Sequence, residues 1–146
     1  MLTVIQFARV AGFSPIIVTA SLHNTELLKS LGATHVVDRQ SDVRKGVADI
    51  LQQTGAAAPE VVYDAISDAS TQPIAWDILA PGGQLDLVDL VLPALVEQEK
   101  YKDKHVFGFY GTVHFPDNRA DGVALYAKLA EWFENGTLKV STYAKS

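Results

Sequence analysis

The sequence predicts an α/β fold built on a parallel sheet, and three observations support this prediction. Four helix-like stretches each end at a glycine, and a short apolar run follows each glycine: Gly12, Gly32, Gly55 and Gly82. Glycine is the residue that most often ends a helix in the left-handed conformation. The runs are rich in Val and Ile on both faces, which is typical of buried parallel strands. Helices that alternate with such strands indicate αβ units.

Length and composition limit the class of protein. A chain of 146 residues with 48% hydrophobic and 20% charged residues suits one globular domain over 1–146. The net charge of −5 argues against a nucleic-acid partner. The absence of cysteine excludes disulfides and Cys-ligated zinc. No apolar stretch reaches the ~18 residues of a membrane helix, and no basic leader precedes the first apolar run. We therefore expect a cytoplasmic protein without a membrane partner.

The predicted elements follow this rhythm along the chain. Strands are expected at 16–20, 35–38, 61–64 and 85–89 and from Val106 to Tyr110, and helices at 25–31, from 42 onward, at 70–80 and at 119–134. The apolar stripe of the helix at 70–80 is assigned to Ile74, Ile78 and Leu79. Residues 2–11 fit either a strand or a helix. A strand there would leave too few residues for a parallel crossover, so we predict a helix.

Several motifs occur in an order that resembles a known family. Gln6-Phe7-Ala8-Arg9-Val10-Ala11-Gly12 is followed by Leu31-Gly32-Ala33 and later by Ala80-Pro81-Gly82-Gly83. The order is similar to the cofactor domain of medium-chain dehydrogenase/reductases, within the zinc-independent branch of quinone-oxidoreductase-like and fungal trans-acting enoyl-reductase-like proteins. The resemblance covers nearly the whole chain. It implies a Rossmann-type, doubly wound parallel sheet and NADPH-dependent hydride transfer of the alcohol dehydrogenase, enoyl reductase or quinone reductase type.

The chain departs from the family pattern at both ends. It contains no G-x-G-x-x-G motif, and we expect it to lack the usual first strand, the glycine-rich loop and the substrate domain. Without the first strand, its two neighbours are two strand spacings apart. They must close together, borrow a strand or leave edges exposed. We therefore expect an inactive cofactor-binding portion; the alternative is a non-enzymatic truncated remnant or a dimerisation module.

The residues after the first two predicted strands are candidates for contact with adenosine. Ser21, His23 and Asn24 occupy the point where a Rossmann fold meets the adenosine ribose, and Arg39 follows the neighbouring strand. Capping of the next helix by Ser21 or Asn24 is the alternative, because both residue types cap well. An ordinary exposed charge is the alternative for Arg39.

Two further segments stand at the carboxyl ends of predicted strands, where open α/β sheets bind ligands. They contribute the candidates Ala65, Ile66, Ser67, Val88 and Leu90. Simple loop connection is the alternative. The four histidines show no metal-ligand spacing, so we expect no zinc. No residue is assigned a catalytic role.

Two expectations concern the cofactor and the oligomeric state. No carboxylate occurs between Ala20 and Glu26, so nothing there would repel a 2′-phosphate, and Ser21, Asn24 and Arg39 could donate to it. NADPH is therefore expected over NADH. The apolar strand from Val106 to Tyr110 would lie at a sheet edge, which favours a homodimer.

Overall fold

The computed structural model describes residues 2–99, 103–108 and 112–140, and they contain six α-helices and five strands. The helices are α1 (Leu2–Val10), α2 (Thr25–Leu31), α3 (Val43–Thr54), α4 (Gln72–Ile78), α5 (Pro93–Glu99) and α6 (Pro116–Glu134). The strands are β1 (Ile17–Ala20), β2 (His35–Asp38), β3 (Val61–Asp64), β4 (Gln84–Leu87) and β5 (His105–Gly108), and a 3₁₀ turn spans Leu22–Asn24. Within these residues, no helix combines the length and hydrophobicity that crossing a bilayer requires.

Local signals in the sequence explain where α3 begins and ends. The Asp42 side chain accepts a hydrogen bond from the Lys45 amide at 3.1 Å, which satisfies a free N–H group of the first turn. Gly55 follows the helix at φ 68°, and its amide donates to the Leu51 carbonyl. Glycine reaches this left-handed conformation without a Cβ clash. Both ends agree with the sequence prediction.

The strands pair in parallel, which confirms the predicted fold class. In one sheet, β4 lies between β3 and β5, and both pairs are parallel. In the other, β1 pairs with β2. The carbonyls of Ile16 and Ala20 accept hydrogen bonds from the amides of His35 and Arg39 at the same sequence offset, so this pair is parallel as well. Among the described residues the strands form these two sheets and have not closed into one.

The chain separates into two compact units. The first comprises residues 1–18, 23–36 and 111–146, and the second comprises 19–22 and 37–110. The single domain expected over 1–146 stays a prediction.

The core of the second unit forms where α4 and α5 pack on the sheet of β3, β4 and β5. Its buried members are Ala75, Trp76, Leu79, Leu85, Leu87 and Leu95. Leu85 and Leu87 are fully buried because they point to the same face of β4, two residues apart. Partly buried Val62, Val91 and Val106 complete this core. The core supports the loops at the carboxyl ends of β3 and β4.

In the first unit, side chains of α1 hold the segment that follows α6. The amide of Gln6, which is 3% exposed, donates to the Lys139 carbonyl at 3.2 Å and accepts from the Lys139 amide at 2.7 Å. Arg9 donates to the Thr137 carbonyl. The rings of Phe7 and Trp132 pack with centroids 6.1 Å apart. The helix predicted at 2–11 is therefore confirmed, and its buried polar group is paired.

Several details of the element predictions need correction. The helix predicted at 70–80 is Gln72–Ile78, and the strand predicted at 85–89 is Gln84–Leu87. No helix was predicted at Pro93–Glu99; α5 is one short helix, too short for a periodic pattern, and Leu95 is its buried residue among positions 93–97. Helix α6 begins at Pro116, not at Arg119, because proline is well tolerated at the first helical position. The buried face of α4 carries Ala75 and Trp76, with Ile74 and Ile78 only partly buried. Strand β5 is His105–Gly108, while positions 109 and 110 of the predicted strand lie outside the described residues.

The packing of α3 on β2 generates a stability prediction. A Cβ added at Gly46 would lie 2.7 Å from Cγ1 of Val37, a β-branched side chain that is 5% exposed. Overpacking costs roughly 1–3 kcal/mol, and Gly→Ala in a helix contributes about 1 kcal/mol in the opposite direction. We expect Gly46→Ala to be destabilising in urea unfolding and to become stabilising once Val37→Ala has removed the clash. Equal effects of Gly46→Ala in both backgrounds would contradict this packing.

Candidate functional site

The carboxyl ends of β1 and β2 bring Ser21 and Arg39 side by side. The Ala20 carbonyl accepts a hydrogen bond from the Arg39 amide at 3.0 Å, so the two strands end at the same edge of their sheet. Ser21 is half-buried directly after β1, whereas Arg39 is exposed directly after β2. The structure thus places a hydroxyl and a guanidinium on neighbouring chain segments.

The polar groups at this edge are donors, except for the Asp38 carboxylate at the end of β2. In the described part of the chain, the Ser21 hydroxyl and the Arg39 guanidinium bond to no other protein group, and Asp38 is occupied in accepting from the Gln40 amide. His23 is exposed in the 3₁₀ turn. Asn24 is the N-cap residue of α2, but its side chain makes no capping hydrogen bond. The alternative that the Asn24 side chain caps α2 is therefore wrong.

A tight, buried turn follows β3. The Asp64 carboxylate accepts hydrogen bonds from the amides of Ile66 at 3.0 Å and Ser67 at 2.9 Å. The Ser67 hydroxyl donates to the Asp64 carbonyl at 2.6 Å. These bonds hold Ser67 at φ 59°, a left-handed conformation that is uncommon for a residue with a Cβ. Ser67 is 4% exposed, so its hydroxyl is part of the interior.

The turn after β3 is tied to the segment after β4. The Val88 amide donates to the Ser67 hydroxyl oxygen at 2.9 Å. The fully buried Gln72 donates to the carbonyls of Ser67 at 2.8 Å and Leu90 at 2.9 Å, and it accepts from the Leu92 amide at 2.9 Å. The structure therefore joins three of the predicted residues, Ser67, Val88 and Leu90, through hydrogen bonds.

Apolar side chains on the same two segments remain exposed. Ile66 is 63% exposed, Val88 42% and Leu90 71%, whereas Ala65 is half-buried. Exposed aliphatic groups carried by a backbone with internally satisfied hydrogen bonds suit contact with a planar or apolar part of a ligand.

The Asp68 side chain orders the turn that precedes α4. Its carboxylate accepts from the Ser70 hydroxyl at 2.6 Å, the Ser70 amide at 2.8 Å and the Thr71 amide at 3.0 Å. The Ser70 hydroxyl, followed by the backbone amides, holds the pKa of Asp68 below its usual range. The helix begins at Gln72, whose side chain enters the interior.

Two other kinds of site are relevant in the described residues: a cleft and a metal centre. A cleft of about 280 Å³ in the first unit is lined by α1 and the segment around Leu138, and none of the predicted site residues lines it. No group of three or more His, Cys, Asp or Glu side chains in the described ranges could hold a metal ion.

Sequence reasoning missed Gln72 and the role of Asp64. The available signal was positional: Gln72, Ala75 and Trp76 stand at i, i+3 and i+4 and form the buried face of α4, and Leu79, directly after the helix, is buried as well. A glutamine on an otherwise apolar stripe is expected to have buried partners. Assigning the stripe to Ile74 and Ile78 hid this signal.

Comparison with known proteins identifies the fold and the family. The model of a family described as zinc-binding dehydrogenase matches residues 2–120. A putative zinc-dependent alcohol dehydrogenase from Rhizobium etli is 25% identical, with a TM-score of 0.78 over 95% of this chain and 41% of its own. None of the curated proteins searched matches the sequence.

Two further solved structures share the fold. A quinone oxidoreductase from Pseudomonas syringae is 23% identical, with a TM-score of 0.73 over 97% of this chain and 44% of its own. A mycobacterial protein in complex with NADPH is 21% identical, with a TM-score of 0.72 over 97% of this chain and 44% of its own. This chain therefore spans less than half the length of these proteins. Because the family match extends over most of the chain, the protein belongs to the zinc-binding dehydrogenase family, whose cofactor domain its sequence resembles.

Proposed function

We propose that this chain is the cofactor-binding portion of an NADPH-dependent oxidoreductase of the quinone or enoyl reductase type. The observation that carries the proposal is the edge formed by β1 and β2, where Ser21 and Arg39 present hydrogen-bond donors and no carboxylate follows β1 before Glu26. An acidic residue at this point accepts from the free 2′-hydroxyl of NADH. A neutral hydroxyl beside a guanidinium suits a 2′-phosphate instead.

The energetics of this edge favour the phosphorylated cofactor. A charge-assisted hydrogen bond to phosphate contributes about 1.5–3 kcal/mol before desolvation is counted. One such bond corresponds to roughly a tenfold difference in affinity. Arg39 can form two parallel bonds with phosphate oxygens, because its guanidinium is planar. His23 and Asn24 are proposed cofactor contacts as well, from their positions in the sequence after β1.

The segments after β3 and β4 are proposed to contact the nicotinamide half. In a doubly wound sheet the second mononucleotide lies at the carboxyl ends of the second group of strands. Here those ends carry Ala65, Ile66, Ser67, Val88 and Leu90. The exposed Ile66, Val88 and Leu90 would bury apolar area against a ring, and the bonds of Ser67 keep this backbone in place. When bound, the nicotinamide supplies the hydride, and the role of this chain is to bind and orient it.

Relatives of the same fold support the reaction type. A quinone oxidoreductase and a protein solved with NADPH are among the proteins of similar structure. Enoyl reductases are among them as well. A quinone or an activated alkene is therefore the substrate class that we propose for the oxidoreductase to which this cofactor-binding portion corresponds. No zinc step is part of this proposal.

The cofactor proposal is tested by calorimetric titration of the chain with NADPH and NADH. We expect NADPH to bind at least about tenfold more tightly, from one additional charge-assisted bond. Arg39→Ala should weaken the binding of NADPH and leave the binding of NADH nearly unchanged, whereas Ser21→Asp should reverse the preference between the two cofactors. Arg119→Ala, which removes an exposed arginine from α6, serves as the matched control. Equal or tighter binding of NADH by the unsubstituted chain would contradict the proposal.

A second test concerns catalysis by the chain as it stands. We expect little or no NADPH oxidation with a quinone or an enone, because no described residue is assigned to proton transfer or substrate binding. The rate is followed by NADPH absorbance, with the Pseudomonas syringae quinone oxidoreductase as positive control. Turnover at a comparable rate would show that the chain carries a complete active site.

The homodimer stays a prediction and is tested separately. Strand β5 is the last strand of its sheet among the described residues, and Phe107 is 45% exposed. Pairing with the same strand of a second copy would extend the sheet across a twofold axis. We expect light scattering to give a dimer mass that Phe107→Lys reduces to the monomer mass, with Phe13→Lys, at another exposed phenylalanine, as control. A monomer at high concentration would refute the prediction.

A further inference from the structure

Gln72 is the most deeply buried polar side chain in the second unit. It is 0% exposed, and both ends of its amide bond to the backbone. Its nitrogen donates to the carbonyls of Ser67 and Leu90, and its oxygen accepts from the Leu92 amide. Ser67 belongs to the turn after β3, whereas Leu90 and Leu92 belong to the segment after β4. One side chain therefore joins the loop after β3 to the loop after β4.

We propose that Gln72 is a positioning residue that holds these two loops in the arrangement that receives the nicotinamide half of the cofactor. This inference rests on the proposed function. Gln72 itself is buried and would not touch the cofactor. It would act through the backbone that carries Ile66, Val88 and Leu90, the three exposed apolar side chains of the site.

The pattern of bonds favours positioning over simple core filling. Ala75, Trp76 and Leu79, on the same face of α4, fill the core with apolar groups. An apolar side chain of similar size at position 72 would fill the same space, but it would leave two carbonyls and one amide without their partner. A buried polar group left unpaired is costly, so the loops would shift to find other partners.

The effect should be confined to one half of the cofactor. Ser21 and Arg39, which are proposed to bind the 2′-phosphate, stand after β1 and β2 and share no hydrogen bond with Gln72 in the described residues. The Ser67 hydroxyl forms a second link, to the Val88 amide, that does not involve Gln72. Loss of Gln72 should therefore loosen the site for the nicotinamide half without abolishing it.

The experiment compares Gln72→Met with Gln6→Met in titrations with NADPH and with adenosine 2′,5′-bisphosphate, which lacks the nicotinamide half. Gln6 is the matched control, because it is 3% exposed, bonds to backbone at both ends of its amide and lies in the first unit. We expect Gln72→Met to weaken the binding of NADPH about tenfold and that of the bisphosphate less than about twofold, as the loss of one or two hydrogen bonds implies. Gln6→Met should lower stability while changing neither affinity.

A measurement on the unsubstituted chain keeps the inference testable if Gln72→Met does not fold. NADPH should slow hydrogen exchange at the Leu92 and Val88 amides, and the bisphosphate should not. Equal weakening of both ligands by Gln72→Met, or equal protection of these amides by both ligands, would overturn the inference while leaving NADPH binding intact. Failure of the unsubstituted chain to bind NADPH would instead contradict the proposed function, and this inference with it.

Discussion

Parallel pairing of β3 with β4 is the constraint on which the candidate site depends. The register sets Asp64 opposite Leu87, so both strands end at the same edge of the sheet. Beyond that edge the ladder no longer satisfies the backbone amides and carbonyls, yet the residues that follow are partly buried. Their polar groups need other partners, because an unpaired buried group is costly. Asp64, Ser67 and Gln72 are the side chains that provide them.

This arrangement links stability to function. The hydrogen bonds lie inside and connect segments to each other, while the aliphatic side chains of Ile66, Val88 and Leu90 remain outside. A ligand that meets these side chains does not have to order the backbone beneath them. Preorganisation of this kind reduces the entropic cost of binding. The left-handed conformation of Ser67 is consistent with such a site, since strained residues persist where surrounding bonds over-determine them.

The edge of β1 and β2 also lies at the carboxyl ends of two parallel strands, but the side chains there differ in their chemistry. There, parallel pairing brings the half-buried Ser21 next to the exposed Arg39, and neither side chain has a protein partner in the described residues. The edge of β3 and β4 offers shape and apolar area, whereas the edge of β1 and β2 offers charge and hydrogen-bond donors. A dinucleotide carries both a planar ring and phosphate groups. The complementary chemistry of the two edges is the physical basis of the function proposed for the chain.

The sequence by itself determined the alternation of helices and strands, the glycines that end the helices and the chain positions that reach the carboxyl edges of the strands. These features are local: apolar runs of β-branched residues, the left-handed glycine at Gly55 and the Asp42 cap act over a few residues. The prediction that Gly82 ends a helix was wrong, because α4 ends at Ile78 with Leu79 in an extended conformation. The predicted bounds of β2 were correct to the residue. The start of α6 at Pro116 is also predictable from the sequence, because the preference of proline for the first helical position is a local signal.

Only the tertiary structure decided which polar side chains hold the site together. Gln72 meets Leu90 and Leu92, which are far along the chain, and short-range periodicity does not register such a contact. The same holds for α5, a single short helix that Leu95 anchors in a core assembled from α4 and β4. Whether Asn24 caps a helix also depended on the 3₁₀ turn before it. Burial and long-range pairing are properties of the assembled sheet, and for that reason they appear only in the folded chain.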